Sequence, residues 1–174
     1  MYYTPGWGAV ITAVSTLSGV ALTQWNANRQ SWRQHTEARR VEQRVAVHDV
    51  LVAASRLEAT LDGKLVFAID QEVNGTVIDD VDEHYMPIFI ELGTRANELL
   101  HAVRKAELVV TVGKIVAALD ELNSHRVDLV RIITESEQAV RKREPDSRSL
   151  TDATAKLATL YFELRTVTRN EFAR

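Results

Sequence analysis

An all-α fold is predicted, with an N-terminal transmembrane helix running into an antiparallel bundle of about four helices, and three observations predict it. The first is the scarcity of breakers: 174 residues contain only three Pro and seven Gly, leaving long stretches uninterrupted. The second is apolar periodicity, which returns at steps of three and four residues from Val47 onward. The third is the placement of charge. Residues 1 to 28 contain no Asp, Glu, Lys, Arg or His, whereas all 45 charged side chains (21 basic and 24 acidic) fall in the rest. One chain thus implies two solvents.

Composition excludes several functions. With no cysteine there are no disulfides, thiolate metal sites or cysteine nucleophiles. A net charge of −3 gives no global attraction to nucleic acid, and no nucleic-acid partner is expected.

The first element is WGAVITAVSTLSGVALTQW, residues 7 to 25. A secretory signal peptide needs a positive charge before its apolar core, and here the cations come after it. A soluble core helix needs a polar face with charge, and this stretch has none. A transmembrane helix fits best. Trp7 and Trp25 are about 27 Å apart along a helix, close to the thickness of bilayer hydrocarbon, and indoles favour both interfaces. Tyr2 and Tyr3 extend the outer belt. Gly8, Thr12, Ser15, Thr16, Gly19 and Thr23 share one face, the pattern that lets two spans approach closely, so self-association through this face is expected.

Residues 26 to 44, NANRQSWRQHTEARRVEQR, form a basic juxtamembrane stalk, with the arginines 29, 33, 39, 40 and 44 against Glu37 and Glu42. Trp25, Trp32, Arg29, Arg33, Arg39 and Arg40 are the expected interface anchors beside Trp7, and the lipid bilayer is the first expected partner. Because the arginines follow the span, the positive-inside rule puts the N-terminus outside and the body in the cytoplasm, as a single-pass protein of the inner membrane.

Residues 45 to 174 make the cytoplasmic bundle. Val47, Val50, Leu51, Ala54, Leu57, Leu61, Leu65 and Ala68 form the first stripe, in a helix that continues from the membrane to about Ile69 with a weak point at Gly63. Asn74-Gly75 marks a turn. The acids Asp62, Asp70, Glu72, Asp79, Asp80, Asp82 and Glu83 fit no calcium-loop frame; Asp80 with Glu83 reads as a capping box. A second helix is expected from about Val81 to Val109 despite Pro87, with Phe89, Leu92, Ala96, Leu99, Val103 and Ala106 inward. Thr111 is the expected N-cap of a third helix carrying Val112, Ile115, Leu119, Leu122, Leu129 and Ile133. Pro145 marks a connection. Ser149 and Asp152 then open a last helix with Leu150, Leu157, Leu160, Tyr161, Leu164, Val167 and Phe172 inward.

Chemistry is sparse. A di-iron bundle needs two Glu-x-x-His motifs, and only Glu98 to His101 matches. His48 and Asp49 are sequence neighbours that diverge on a helix, and Thr111-Val112-Gly113-Lys114 is not a phosphate loop. No enzyme activity, cofactor, metal or small-molecule substrate is expected.

Trp7-Gly8-Ala9, Thr23-Gln24-Trp25, the Arg/Glu-rich stalk, LHAVRKAELVVTVGKIVAALDEL and LRTVTRNEFAR together resemble small single-span membrane proteins of actinobacteria and their phages, a mostly uncharacterised group. In that group a helix often ends in Glu-Leu-Val and restarts at a Ser-Pro pair, where this chain has Thr111-Val112. The resemblance implies a membrane-anchored, self-associating protein that acts through contacts with other proteins, in superinfection exclusion or envelope modification. Two other readings stand beside it: a holin-like pore former, and a soluble bundle in which residues 7 to 25 pack as one more helix.

Overall fold

The computed structural model describes residues 6–69, 81–144 and 147–173, with side chains from residue 23 onward except those of residues 81 and 82. Four long helices account for nearly all of them: α1 (Gly6–Thr60), α2 (Val81–Val109), α3 (Gly113–Arg141) and α4 (Arg148–Phe172). No strand occurs among the described residues. A π-helical turn, Leu61–Val66, follows α1, and the chain stays helical to Ile69. Leu61, Leu65, Val66, Ala68 and Ile69 are buried along this turn and its continuation, so the apolar stripe of α1 reaches the end of the helix.

The compact unit is Glu42–Arg174. Its helix order follows from contacts that run in opposite directions along neighbouring elements. Gln43 bonds the Val109 carbonyl, Asp49 pairs with Lys105, and Lys64 pairs with Glu91, so α1 and α2 are antiparallel. Lys114 pairs with Glu171 while His125 meets Ala153, which makes α3 and α4 antiparallel as well. The turn segment Leu61–Val66 packs against α2 and α4, and α3 packs against both α2 and α4, so the four helices close on one core.

That core is the expected stripes and more. Val47, Val50, Leu57, Leu92, Leu99, Leu119, Leu122, Leu157 and Leu164 are fully buried. Each such side chain contributes about 1.5–3 kcal/mol of transfer free energy, and this burial holds the helices together. Leu51, Val112, Tyr161, Val167 and Phe172 pack only partly buried against it. Pro87 sits inside α2 and removes one helical donor; the helix persists around it with Tyr85, Phe89 and Leu92 anchored in the core.

Two helix starts differ from expectation. Thr111 does not cap α3: Val112 holds the N-cap position, and the Thr111 hydroxyl accepts a bond from Gln43 Nε2 at 3.1 Å. The last helix begins at Arg148 behind Ser147 rather than at Ser149. Ser147 makes no side-chain cap; its carbonyl instead accepts from the Thr151 hydroxyl at 2.9 Å. The end of α3 is a Schellman turn, with Glu144 N–H on the Ala139 carbonyl at 2.9 Å and Arg143 N–H on Val140 at 3.0 Å. Arg143 occupies the left-handed position at φ 59°, which a side chain with a Cβ holds at a cost. The capping box at Asp80 and the turn at Asn74-Gly75 lie outside the described residues.

Candidate functional site

From Thr23 to Val41 the helix α1 is exposed on every side, Ser31 alone being half-buried. The reason is local: no apolar stripe runs through this segment, so nothing drives it onto a core. Its two indoles stand in solvent, Trp25 at 63% and Trp32 at 74% exposure.

The side chains are not spread evenly around the axis. At 3.6 residues per turn, Trp25, Trp32, Arg29, Arg33, Arg39 and Arg40 fall within an arc of about 120°. Arg29 lies over the Trp25 ring, its guanidinium carbon 5.8 Å from the ring centroid. That contact sets a cation and an indole side by side on one face. Shallow, open grooves run between these side chains, one of them bordered by Arg29, Trp32, Arg33, Thr36, Glu37 and Arg40. No ion pair joins any of the four arginines to a carboxylate among the described residues. This face can offer guanidinium donors and amphipathic rings to an anionic layer, and it has no group placed for bond-making chemistry.

Arg44 does something else. Its guanidinium donates to the Phe172 carbonyl at 2.7 Å and sits 5.4 Å from that ring's centroid. It ties the end of α4 to α1 and belongs to the bundle rather than to the stalk. Of the expected span face, Thr23 is exposed on α1. Gly8, Thr12, Ser15, Thr16 and Gly19, like the outer anchor Trp7, have side chains outside the described residues. Among the described residues no helix is long and apolar enough to cross a membrane, and the side chains of the expected span up to residue 22 lie outside the described ones.

The weaker motifs come apart in space. Glu98 is held by Arg95 at 2.9 Å and His101 is exposed, and among the described residues no three His, Asp or Glu side chains gather as metal ligands. Lys114 pairs with Glu171 at 3.1 Å. Among the described residues, the shifted titratable groups belong to the bundle. The hydrogen bond from Lys64 lowers the Glu91 carboxyl, the bond to Glu98 raises Arg95, and burial lowers Arg126.

Among the buried polar residues that the sequence reading did not place inward, two make contacts between helices. Gln43 donates through Nε2 to the Val109 carbonyl at 3.0 Å and to Thr111, satisfying the frayed end of α2. His125 fills the seven-residue gap between Leu122 and Leu129, and its Nε2 bonds the Ala153 carbonyl at 2.9 Å. A carbonyl only accepts, so Nε2 carries the proton and the Nδ1 lone pair is left without a partner. The gap itself was the available signal: a helix stripe that stays in phase across a His marks that His as inward.

Comparison with known protein families, curated proteins and solved structures gives no match.

Proposed function

We propose that this chain is a membrane-anchored, non-catalytic helical protein that self-associates through its span and presents its bundle to protein partners at the cytoplasmic face of the inner membrane. The observation that carries the reading is the one-sided Trp and Arg face, exposed and without an ion pair among the described residues, placed directly after a stretch with no ionisable side chain. An indole and a guanidinium in contact suit the headgroup layer, where rings are half-solvated and phosphates are near. Arg29 is about 6 Å beyond Trp25 along the helix, within the polar layer of a bilayer. Arg33, Arg39 and Arg40 stand farther out, where each cation near an anionic surface adds about 1 kcal/mol of attraction that salt screens. The folded bundle over Glu42–Arg174 counts against a holin-like pore, which needs little mass outside the membrane. The resemblance to actinobacterial and phage single-span proteins supports a role in the envelope, superinfection exclusion among them.

Carbonate extraction tests the anchor. The full chain is expected to stay in the membrane pellet at alkaline pH, with the bundle cleaved by protease only when the cytoplasmic side is open. Release into the supernatant overturns the anchor in favour of the soluble bundle. Rapid membrane depolarisation on induced expression supports the pore instead. Gly19→Ile tests self-association through the span, with weaker dimer cross-linking expected.

A further inference from the structure

We infer that the bundle binds a small phosphate monoester in a cleft between α1 and α4. The site goes beyond the membrane anchor and does not rest on it, because every residue involved belongs to the compact unit Glu42–Arg174. The cleft has a volume of about 350 Å³, toward the lower end of the range that small ligands occupy. Its α1 wall is spaced at steps of three and four residues, from His48 through Leu51 and Val52 to Ser55 and Arg56, so these side chains share one face. Tyr161 and Arg165, four residues apart, supply the α4 wall. Arg44 braces the two helices beyond it, through its 2.7 Å bond to the Phe172 carbonyl.

The cleft has two chemical levels. Leu51, Val52 and Tyr161 are half-buried, and Leu51 and Tyr161 pack against the hydrophobic core, which makes the floor apolar and fixed. His48, Ser55, Arg56 and Arg165 stand exposed around it. Arg95, Arg131 and Arg141 are each paired with a glutamate, whereas neither Arg56 nor Arg165 forms an ion pair among the described residues. No carboxylate borders the cleft among the described residues. Asp49 turns instead to Lys105 on α2, at 2.8 Å. Glu58 and Glu163 each lie two residues from a lining residue, about 200° round their helices. Two guanidinium groups thus face one cleft without a counter-charge.

The donors select the anion. Two guanidinium forks, one imidazole N–H and the hydroxyls of Ser55 and Tyr161 offer about seven hydrogen bonds, whereas a carboxylate has about four lone-pair sites to accept them. A phosphate monoester presents three strong acceptor oxygens and a charge of about −1.5 to −2 at neutral pH, which matches the two guanidinium groups. Its organic group meets the floor of Leu51, Val52 and the Tyr161 ring. An ester with an apolar body therefore binds more tightly than inorganic phosphate, which leaves that floor wet.

The test is isothermal titration calorimetry on the full-length chain in detergent, with phenyl phosphate as the probe and inorganic phosphate and benzoate beside it. Phenyl phosphate is expected to bind most tightly of the three. Arg56→Gln and Arg165→Gln are each expected to weaken it about tenfold. Arg104→Gln removes the same charge from an exposed position on α2 and is expected to leave binding unchanged. All three substitutions fall on exposed side chains, and thermal melting by circular dichroism verifies that each variant is folded. Dihexanoyl phosphatidate, a soluble lipid with the same phosphate monoester, distinguishes the sources. Tighter binding than phenyl phosphate through the same two arginines supports the site with a lipid headgroup in it; weaker binding supports it with a free ester. Absence of binding at millimolar phenyl phosphate, equal weakening by Arg104→Gln, or benzoate binding as tightly as phenyl phosphate overturns the inference.

Discussion

The stalk from Thr23 to Val41 and the bundle from Glu42 onward are both helical, yet different forces hold them. In the bundle, apolar side chains at helical spacing vanish from solvent: Leu57, Leu99 and Leu122 have no exposed surface. In the stalk even the largest apolar groups, Trp25 and Trp32, remain mostly exposed. Backbone hydrogen bonding is the same in each. The difference teaches that helix in this chain is a local outcome of few breakers, whereas stability comes from burial and is confined to the bundle. A helix without burial is available for something else to bury.

The largest effect expected from breaking this contrast is in the core. Leu122→Ala removes a fully buried side chain and leaves a cavity, costing about 2–5 kcal/mol in urea or thermal unfolding of the bundle. Trp32→Ala, a bigger truncation, leaves the bundle's midpoint unchanged because its ring touches no core. A comparable loss from both variants would mean that the stalk is stabilised through the bundle.

Next is the polar end of the core. Gln43→Leu deprives the Val109 carbonyl and the Thr111 hydroxyl of their donor beside a buried position, costing about 1–3 kcal/mol with a change in midpoint but not in slope. Gln30→Leu, one of the exposed stalk residues, has no such partner to strand, and its bundle unfolds as wild type. A neutral Gln43→Leu would show that water replaces the bond.

Much of the bundle was legible because its pattern is redundant. The stripe from Phe89 to Ala106 repeats often enough to place α2, and its observed bounds, Val81–Val109, coincide with those the periodicity predicts. What stayed hidden is polar and inward. Thr60, Ser136 and Thr154 are buried because each hydroxyl bonds the carbonyl four residues back, at 2.8–3.0 Å, and so hides its polarity from the core. Hydropathy cannot register that compensation. Gln43 and Thr111 depend on a contact across 68 residues of sequence, which no local pattern encodes. In the candidate site, the residue types of the tryptophan and arginine face were evident, but not its one-sidedness.

A smaller, opposite effect is expected at the end of α3. Arg143→Gly relieves a left-handed residue that closes the Schellman turn, and Gly holds that φ without its Cβ penalty. The bundle gains about 1 kcal/mol, seen as a higher unfolding midpoint. A loss there would mean that the Arg143 side chain makes a contribution larger than its strain.

The smallest effect separates exposed electrostatics from burial. Lys64 bonds Glu91 at 2.5 Å and, with Arg95 nearby, holds the Glu91 carboxyl below its ordinary range. A carboxyl lowered in the folded state stabilises above its unfolded titration, and the contribution disappears as pH falls through the folded value. Glu91→Gln therefore lowers the thermal midpoint slightly near neutrality and not at all at strongly acidic pH, with the two curves converging below the ordinary carboxylate range. Salt shrinks the gap, because both partners face solvent. The stalk supplies the control: Glu37 has no ion pair among the described residues, so Glu37→Gln leaves the bundle's pH profile where it was. Convergence for Glu91→Gln alone places the acid-sensitive charge on the bundle, whereas a matching shift from Glu37→Gln would show that the two regions share their electrostatics after all.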